Sequence, residues 1–153
     1  MLKKVDVLCI TLTSPIKIGI YENEKLIETI ESEEKSSDIL PLLFKDILEK
    51  YDVQNLLYAN GPGSFMAIKV AYIFLKSLSI LKKIPLFATD AFNFNNNMPI
   101  KAIGKLHFVK IASEIKTQKF DSAQEVNFRL PEMLDIKEFS KITTPLYMIG
   151  AVG

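Results

Sequence analysis

The run Asn60-Gly-Pro-Gly-Ser-Phe65, followed without a break by MAIKVAYIFLKSLSILKK, constrains this chain more than any other stretch. Gly61-Pro62-Gly63 is turn chemistry, because proline presets one φ and glycine accepts φ values that other residues avoid. Ser64 is placed to cap a helix by accepting a hydrogen bond from a free N–H of the first turn. The helix is apolar almost all round: Phe65, Met66, Ile68, Val70, Tyr72, Ile73, Phe74, Leu75, Leu78, Ile80 and Leu81 are interrupted only by Lys69, Lys76, Ser77 and Ser79. A surface helix carries one apolar stripe, whereas one apolar on every side is covered on more than one. A sheet can cover one side, and the other calls for a second protein surface.

The flanking sequence supplies the sheet. Val5–Thr13 and Ile16–Tyr21 read as β-strands separated by a turn at Ser14-Pro15, and Lys25–Ile30 as a third after the polar Glu22-Asn23-Glu24. Short links make these an antiparallel meander. A helix follows, capped by Ser37 or Asp38 and running to about Tyr51. It carries Ile39, Leu40, Leu42, Leu43, Phe44, Ile47 and Leu48, with Pro41 in its first turn, where proline is tolerated. Gln54–Ala59 is the fourth strand and Ile84–Ala88 the fifth. Short βα and αβ connections favour right-handed crossovers, so these strands should run parallel to the first. The fold class expected is α/β: a ribonuclease-H-like lobe, βββ-α-β-α-β, with a mixed sheet in the order 3-2-1-4-5.

Asparagine-rich Thr89–Met98 marks a boundary, which divides the chain into a lobe at 1–92 and a partial second lobe at 93–153. In the latter, Lys105–Ala112, Glu114–Phe120, Gln124–Phe128 and Leu146–Ala151 read as strands, and Asp135–Lys141 as a short helix. This part is shorter than a complete second lobe of the same kind.

The residues Asn60-Gly61-Pro62-Gly63-Ser64-Phe65, with Lys69 and Lys76 on the helix and Ile84-Pro85-Leu86 at the next strand, resemble the Gly-Pro-Gly-Ser-Phe-Thr-Gly-Leu-Arg block of the TsaB (YeaZ) family. The strand ending near Thr13-Ser14 and Ile39-Leu40-Pro41 at the first helix are similar to that family too. The likeness covers residues 4–92 well, and extends loosely to Gly104–Lys110 and Tyr147–Gly153. It implies an actin/Hsp70-like fold. It also implies a non-catalytic subunit of the machinery that makes N6-threonylcarbamoyladenosine in tRNA. Such a subunit docks on and activates the catalytic subunit TsaD, with the ATPase TsaE joining the pair. The sequence departs from the family pattern in four places. Thr11 stands where an aspartate is usual and Lys35 where a histidine is, Met66-Ala67 replaces Thr-Gly, and Ala71 occupies the next small position.

The partner-binding residues expected on this reading are Phe65, Ala67, Ile68, Lys69, Ala71, Tyr72, Phe74, Leu75, Lys76 and Leu78, with Leu43 and Ile47 from the first helix. Ala67 and Ala71 keep the small spacing that lets helices approach, and Lys69 and Lys76 can lay their stems along the rim. The same patch would pair with a second copy in isolation. An interface of this kind buries ~800 Å² per partner.

Other chemistries find few residues. Gly61, Pro62, Gly63 and Ser64 form a turn at a helix N-terminus, where an anion is favoured, but the wider glycine spacing and Lys-Ser/Thr pair of a P-loop are missing. His107 is the only histidine, so no typical transition-metal site is expected, and a Ser-His-Asp triad would have to use it without a nucleophile elbow. The alternative function is a nucleotide-binding actin-like enzyme, an ATPase or small-molecule kinase. Such an enzyme needs acids on the first strand, where Thr11 and Thr13 stand; Glu31, Glu33 and Glu34 lie in a solvated charge run. No catalytic residue, cofactor or metal is expected.

Composition agrees with a cytoplasmic globular protein. Hydrophobic residues are 48%, charged residues 24%, and the formal net charge is +1. That balance, with Arg129 the only arginine, argues against strong electrostatic binding to nucleic acid, though contact with tRNA stays open. The single cysteine, Cys9, sits in an apolar run and reads as core in a reducing compartment. The N-terminus lacks a signal-peptide pattern, and no run approaches the roughly 18 apolar residues of a membrane span.

Overall fold

The computed structural model describes residues 1–122, 124 and 127–146. Strands β1 (Lys3–Ile10), β2 (Ile16–Glu22) and β3 (Lys25–Ser32) form the antiparallel meander, and α1 (Ser36–Lys50), β4 (Tyr51–Ala59), α2 (Phe65–Lys82) and β5 (Leu86–Thr89) follow. The sheet order is β3-β2-β1-β4-β5, with β4 parallel to β1 and to β5. This is the mixed five-stranded, ribonuclease-H-like sheet expected from the sequence.

Side-chain alternation explains the layering. Val5, Val7 and Cys9 of β1 point to one face, with Ile16, Ile18 and Ile20 of β2 and Leu56 and Tyr58 of β4. Both helices cover that face. α1 contributes Leu40, Phe44 and Ile47, spaced four and three apart, and α2 contributes Ala71 and Leu75. The helices meet through Phe44 and Phe74, whose ring centroids are 5.4 Å apart. Leu8 and Ile10 of β1 and Leu57 and Ala59 of β4 point to the opposite face. Central strands buried on both faces read as continuous apolar runs, as β1 does.

Residues after β5 cover that second face. A 3₁₀ turn at Ala91–Phe94 leads into a small antiparallel sheet of β6 (Ile100–Lys101), β7 (Leu106–Ile111) and β8 (Glu114–Lys119). Ala91, Phe92, Phe94, Ile100, Phe108, Phe128 and Leu134 pack with Leu8, Ile10 and Leu57 in one apolar cluster, so a shared core spans the expected boundary at 92/93.

The segment 127–146 then crosses the sheet as a strap. Leu26 N–H donates to Glu132 O and Leu134 N–H to Glu24 O at the β3 edge, and Ser140 and Ala88 exchange two backbone hydrogen bonds at the β5 edge. Before it reaches the β3 edge the strap passes close over β2. A Cβ at Gly19 would come within 3.2 Å of the Leu130 side chain and 2.8 Å of the Tyr21 ring. Both free edges of the sheet are thus partly closed by the same segment, which blunts edge-to-edge pairing.

Several boundaries differ from expectation. β1 ends at Ile10, not Thr13, because the chain turns through Thr11–Ser14. α1 begins at Ser36 after Lys35, whose side chain makes no capping bond, so neither Ser37 nor Asp38 is the cap. Pro41 therefore falls in the second turn, where its missing N–H leaves the carbonyl of exposed Ser37 to solvent. Tyr51 opens β4, opposite Lys3, instead of closing the helix. Asp135–Lys141 contains only a 3₁₀ turn at Ile136–Glu138. Of the expected strand Gln124–Phe128, the described residues 124, 127 and 128 are not in a strand. The expected strand Leu146–Ala151 lies outside the described residues after Leu146. Among the described residues no helix is long and apolar enough to cross a membrane.

Candidate functional site

Two regions attract attention from the sequence: the turn before α2 and the surface of α2 itself. The turn sits at the carboxyl ends of β1 and β4, where open α/β sheets usually bind ligands. Here that crevice is filled. Asn60 is buried, donating from Nδ2 to Thr144 O at 3.0 Å, while its carbonyl accepts from Leu146 N–H at 2.8 Å. Gly61 has φ +117°, and a Cβ there would lie 3.0 Å from Leu146 O. A Cβ at Gly63 would lie 3.1 Å from the Leu12 side chain. Gly61 and Pro62 are buried, and its carbonyl accepts from Ala91 N–H at 2.8 Å. Ser64 is exposed and caps α2 weakly, its Oγ 3.5 Å from Ala67 N. Among the described residues Asn60 Oδ1 is buried without a donor. An orphan acceptor beside the turn opposes an anion there.

The residues that an actin-like enzyme would use are displaced or uncharged. Thr11 is buried and Thr13 exposed, so no carboxylate stands at the end of β1. Glu31, Glu33 and Glu34 are exposed, and Glu31 makes only a 3.9 Å contact with Lys17. Among the described residues no group of three or more His, Cys, Asp or Glu could hold a metal ion. His107 is buried in β7, with Nδ1 3.0 Å from the carbonyl of Lys105. It lines one cavity with Asp121 and Ser122. Its Nδ1, the atom a triad would give to aspartate, is taken by a backbone carbonyl instead.

The second region is the surface of α2. Ile68, Ala71 and Leu75 of the expected partner set are buried at 1% exposure or less, and Ile47 of α1 at 3%. They face the chain's own core and cannot meet a partner in this fold, which corrects their place in that set. Phe65, Ala67, Tyr72, Phe74, Leu78 and Leu43 are half-buried around them, and Lys69 and Lys76 are exposed. Tyr72 stacks on Tyr58 of β4 with centroids 6.4 Å apart, and Lys69 Nζ lies 6.0 Å from the Phe65 ring centre.

The outward face belongs to other residues. Met66, Ile73 and Ile80 are 61%, 54% and 67% exposed. At seven-residue intervals they fall two turns apart on one side of the helix. Leu81 and Leu42 add exposed apolar area. The seven-residue spacing was visible in the sequence, but an all-round apolar helix offers no way to choose it over the 68-71-75 stripe. α2 carries lysines and no acid, so every charge that the helix itself sets beside the stripe is positive.

No protein-family model matches the chain, and no curated protein does. Solved structures do. YeaZ from Pseudomonas aeruginosa superposes with a TM-score of 0.60 at 12% identity, over 76% of this chain and 65% of that one. A Pseudomonas aeruginosa protein described as uncharacterized, with similarity to peptidase YEAZ, gives 0.55 at 13% identity, over 76% and 64%. The chain has the fold of these proteins and spans just under two thirds of their length.

Proposed function

We propose that this chain is a non-catalytic scaffold subunit of the cytoplasmic machinery that makes N6-threonylcarbamoyladenosine in tRNA. It docks on and activates a TsaD-like catalytic subunit, with a TsaE-like ATPase in the same complex. The observation that carries the reading is the exposed Met66–Ile73–Ile80 stripe on α2, set on the fold it shares with YeaZ. Apolar area of this kind, bordered by charge, is characteristic of protein–protein contact surfaces. The lysines that α2 sets beside the stripe call for carboxylates on the partner. It also disfavours a homodimer through α2. Antiparallel pairing centred on Ile73 would bring Lys69 and Lys76 of one copy beside those of the other.

The alternative, a nucleotide-binding actin-like enzyme, is opposed by the crevice at the strand ends. Leu12 and Leu146 fill it, and the end of β1 offers threonine where magnesium-linked acids are needed. Mixing the purified chain with the TsaD subunit of the same organism tests the reading. Size exclusion should show a complex that Ile73→Arg abolishes while the variant stays folded. No complex with the wild-type chain, or one indifferent to Ile73→Arg and Ile80→Arg, defeats it. Magnesium-dependent ATP turnover by the pure chain would favour the alternative.

A further inference from the structure

The small sheet holds a second candidate site, independent of the helix surface. Between Ile100 and Asp121 the chain carries five lysines against two acids, although the whole protein is nearly neutral. Lys110 is bound to Asp90 at 2.5 Å, Lys116 lies 3.6 Å from Glu114 and Lys105 lies 3.9 Å from Asp121. Among the described residues Lys101 has no such carboxylate. It stands directly across the β6–β7 ladder from His107. Lys101, Lys105, His107, Phe120 and Ser122 line a cavity of about 210 Å³, with Asp121 at its fully exposed rim.

His107 is built into this cavity. The carbonyl of Lys105 can only accept, so Nδ1 carries the proton and the ring is held in one orientation. Phe120 packs edge-on against it, with centroids 5.1 Å apart. With Nδ1 taken by the Lys105 carbonyl, Nε2 is the ring nitrogen left to accept, and His107 lines the cavity.

We propose that this cavity binds a protonated phosphate group, as inorganic phosphate or a phosphate monoester. Lys101 and Lys105 supply charge, Ser122 a hydroxyl donor, and Nε2 of His107 accepts from the phosphate O–H. The last contact selects against ions without a proton, such as sulfate or the phosphodiesters of a nucleic-acid strand. The volume is below the roughly 300 Å³ where drug-sized ligand sites begin, which suits a small anion. The solvated carboxylate of Asp121 gives up its long contact with Lys105 when the ion enters.

The single histidine makes the test direct, because the ring proton signals of His107 can be followed by NMR in the intact chain. Inorganic phosphate at neutral pH should shift them saturably. Lys101→Ala and Lys105→Ala should each weaken binding about tenfold, the size expected for one charged hydrogen bond. Lys116→Ala, outside the cavity, should leave binding unchanged. Sulfate and a short single-stranded RNA should bind at least tenfold more weakly than phosphate. Absence of a saturable shift, sulfate or RNA matching phosphate, or indifference to both lysine variants would each overturn the proposal.

Discussion

Tyr58, one residue before the end of β4, donates its hydroxyl to the backbone carbonyl of Thr143, in a buried contact across 85 residues of chain. Two residues on, Asn60 is held by Thr144 and Leu146 in the same way. The end of the strap is thereby tied to the strand that leads into the Gly-Pro-Gly turn. The same strap pairs with both edges of the sheet, at Lys25–Met133 and Ala88–Ser140.

Removing that tie should destabilise the fold without altering its shape. Tyr58→Phe keeps the ring stacked on Tyr72 but leaves the Thr143 carbonyl buried without this donor. A loss of about 1–2 kcal/mol is expected. Urea unfolding should show a lower midpoint with an unchanged slope. An unchanged midpoint would mean that the strap does not depend on this bond.

The two sides of α2 should respond oppositely to the same substitution. Ala71 is fully buried against the sheet, so Ala71→Arg forces a long cation into the core and should cost more than about 4 kcal/mol, enough to prevent folding. Ile73 is more than half exposed, and Ile73→Arg should change stability by less than about 0.5 kcal/mol. Thermal melts of the two variants check this. Equal effects would contradict the assignment of faces.

Asp6 should make stability depend on pH in the direction opposite to an ordinary salt-bridged acid. Burial, reinforced by Glu24, raises its carboxyl above the usual range, while the hydrogen bond from Asn55 at 2.8 Å partly offsets this. A raised acid favours the folded state in its protonated form. Its contribution is fully present below the ordinary carboxylate pKa and is lost as pH rises through the folded value. Asp6→Asn keeps an acceptor for Asn55 and removes the buried charge. The variant should melt higher than the parent at neutral pH, with the difference closing as pH falls through the raised folded value and gone below about 4. A variant that melts lower at neutral pH would reverse the assigned cause.

Cys9 should be inert. It is 1% exposed, and burial pushes its thiol well above the ordinary range, so little thiolate forms in the folded chain. Iodoacetamide at mildly alkaline pH should add no mass to the native protein and one adduct in denaturant. Rapid native alkylation would show that β1 opens easily.

Much of the α/β layer was legible because each strand carries its own signal. Ile16, Ile18 and Ile20 alternate with residues of the other face, and the Gly-Pro-Gly turn with Ser64 marks the start of α2. Ends were less legible where two elements abut. Tyr51 fits the apolar pattern of α1 as well as that of β4, and only its pairing with Lys3 decides between them. The strap was not legible at all. Residues 127–146 have almost no periodicity, and their course is set by partners such as Glu24, Asn60, Ala88 and Phe94, each distant in the chain.

The sequence by itself determined the order of elements through β5, the mixed sheet and the presence of a helix apolar on every side. These follow from local periodicity and turn chemistry, which need no knowledge of distant contacts. Tertiary structure alone decided which side of α2 is hidden. Ile68, Ala71 and Leu75 form one stripe, and Met66, Ile73 and Ile80 another of similar hydrophobicity. Close approach to the sheet selects the stripe with the small Ala71 at its centre, since a larger residue there would hold the helix off. It also decided that the crevice above β1 and β4 is filled by the chain's own strap, because that contact depends on where residues 143–146 arrive after crossing the whole sheet.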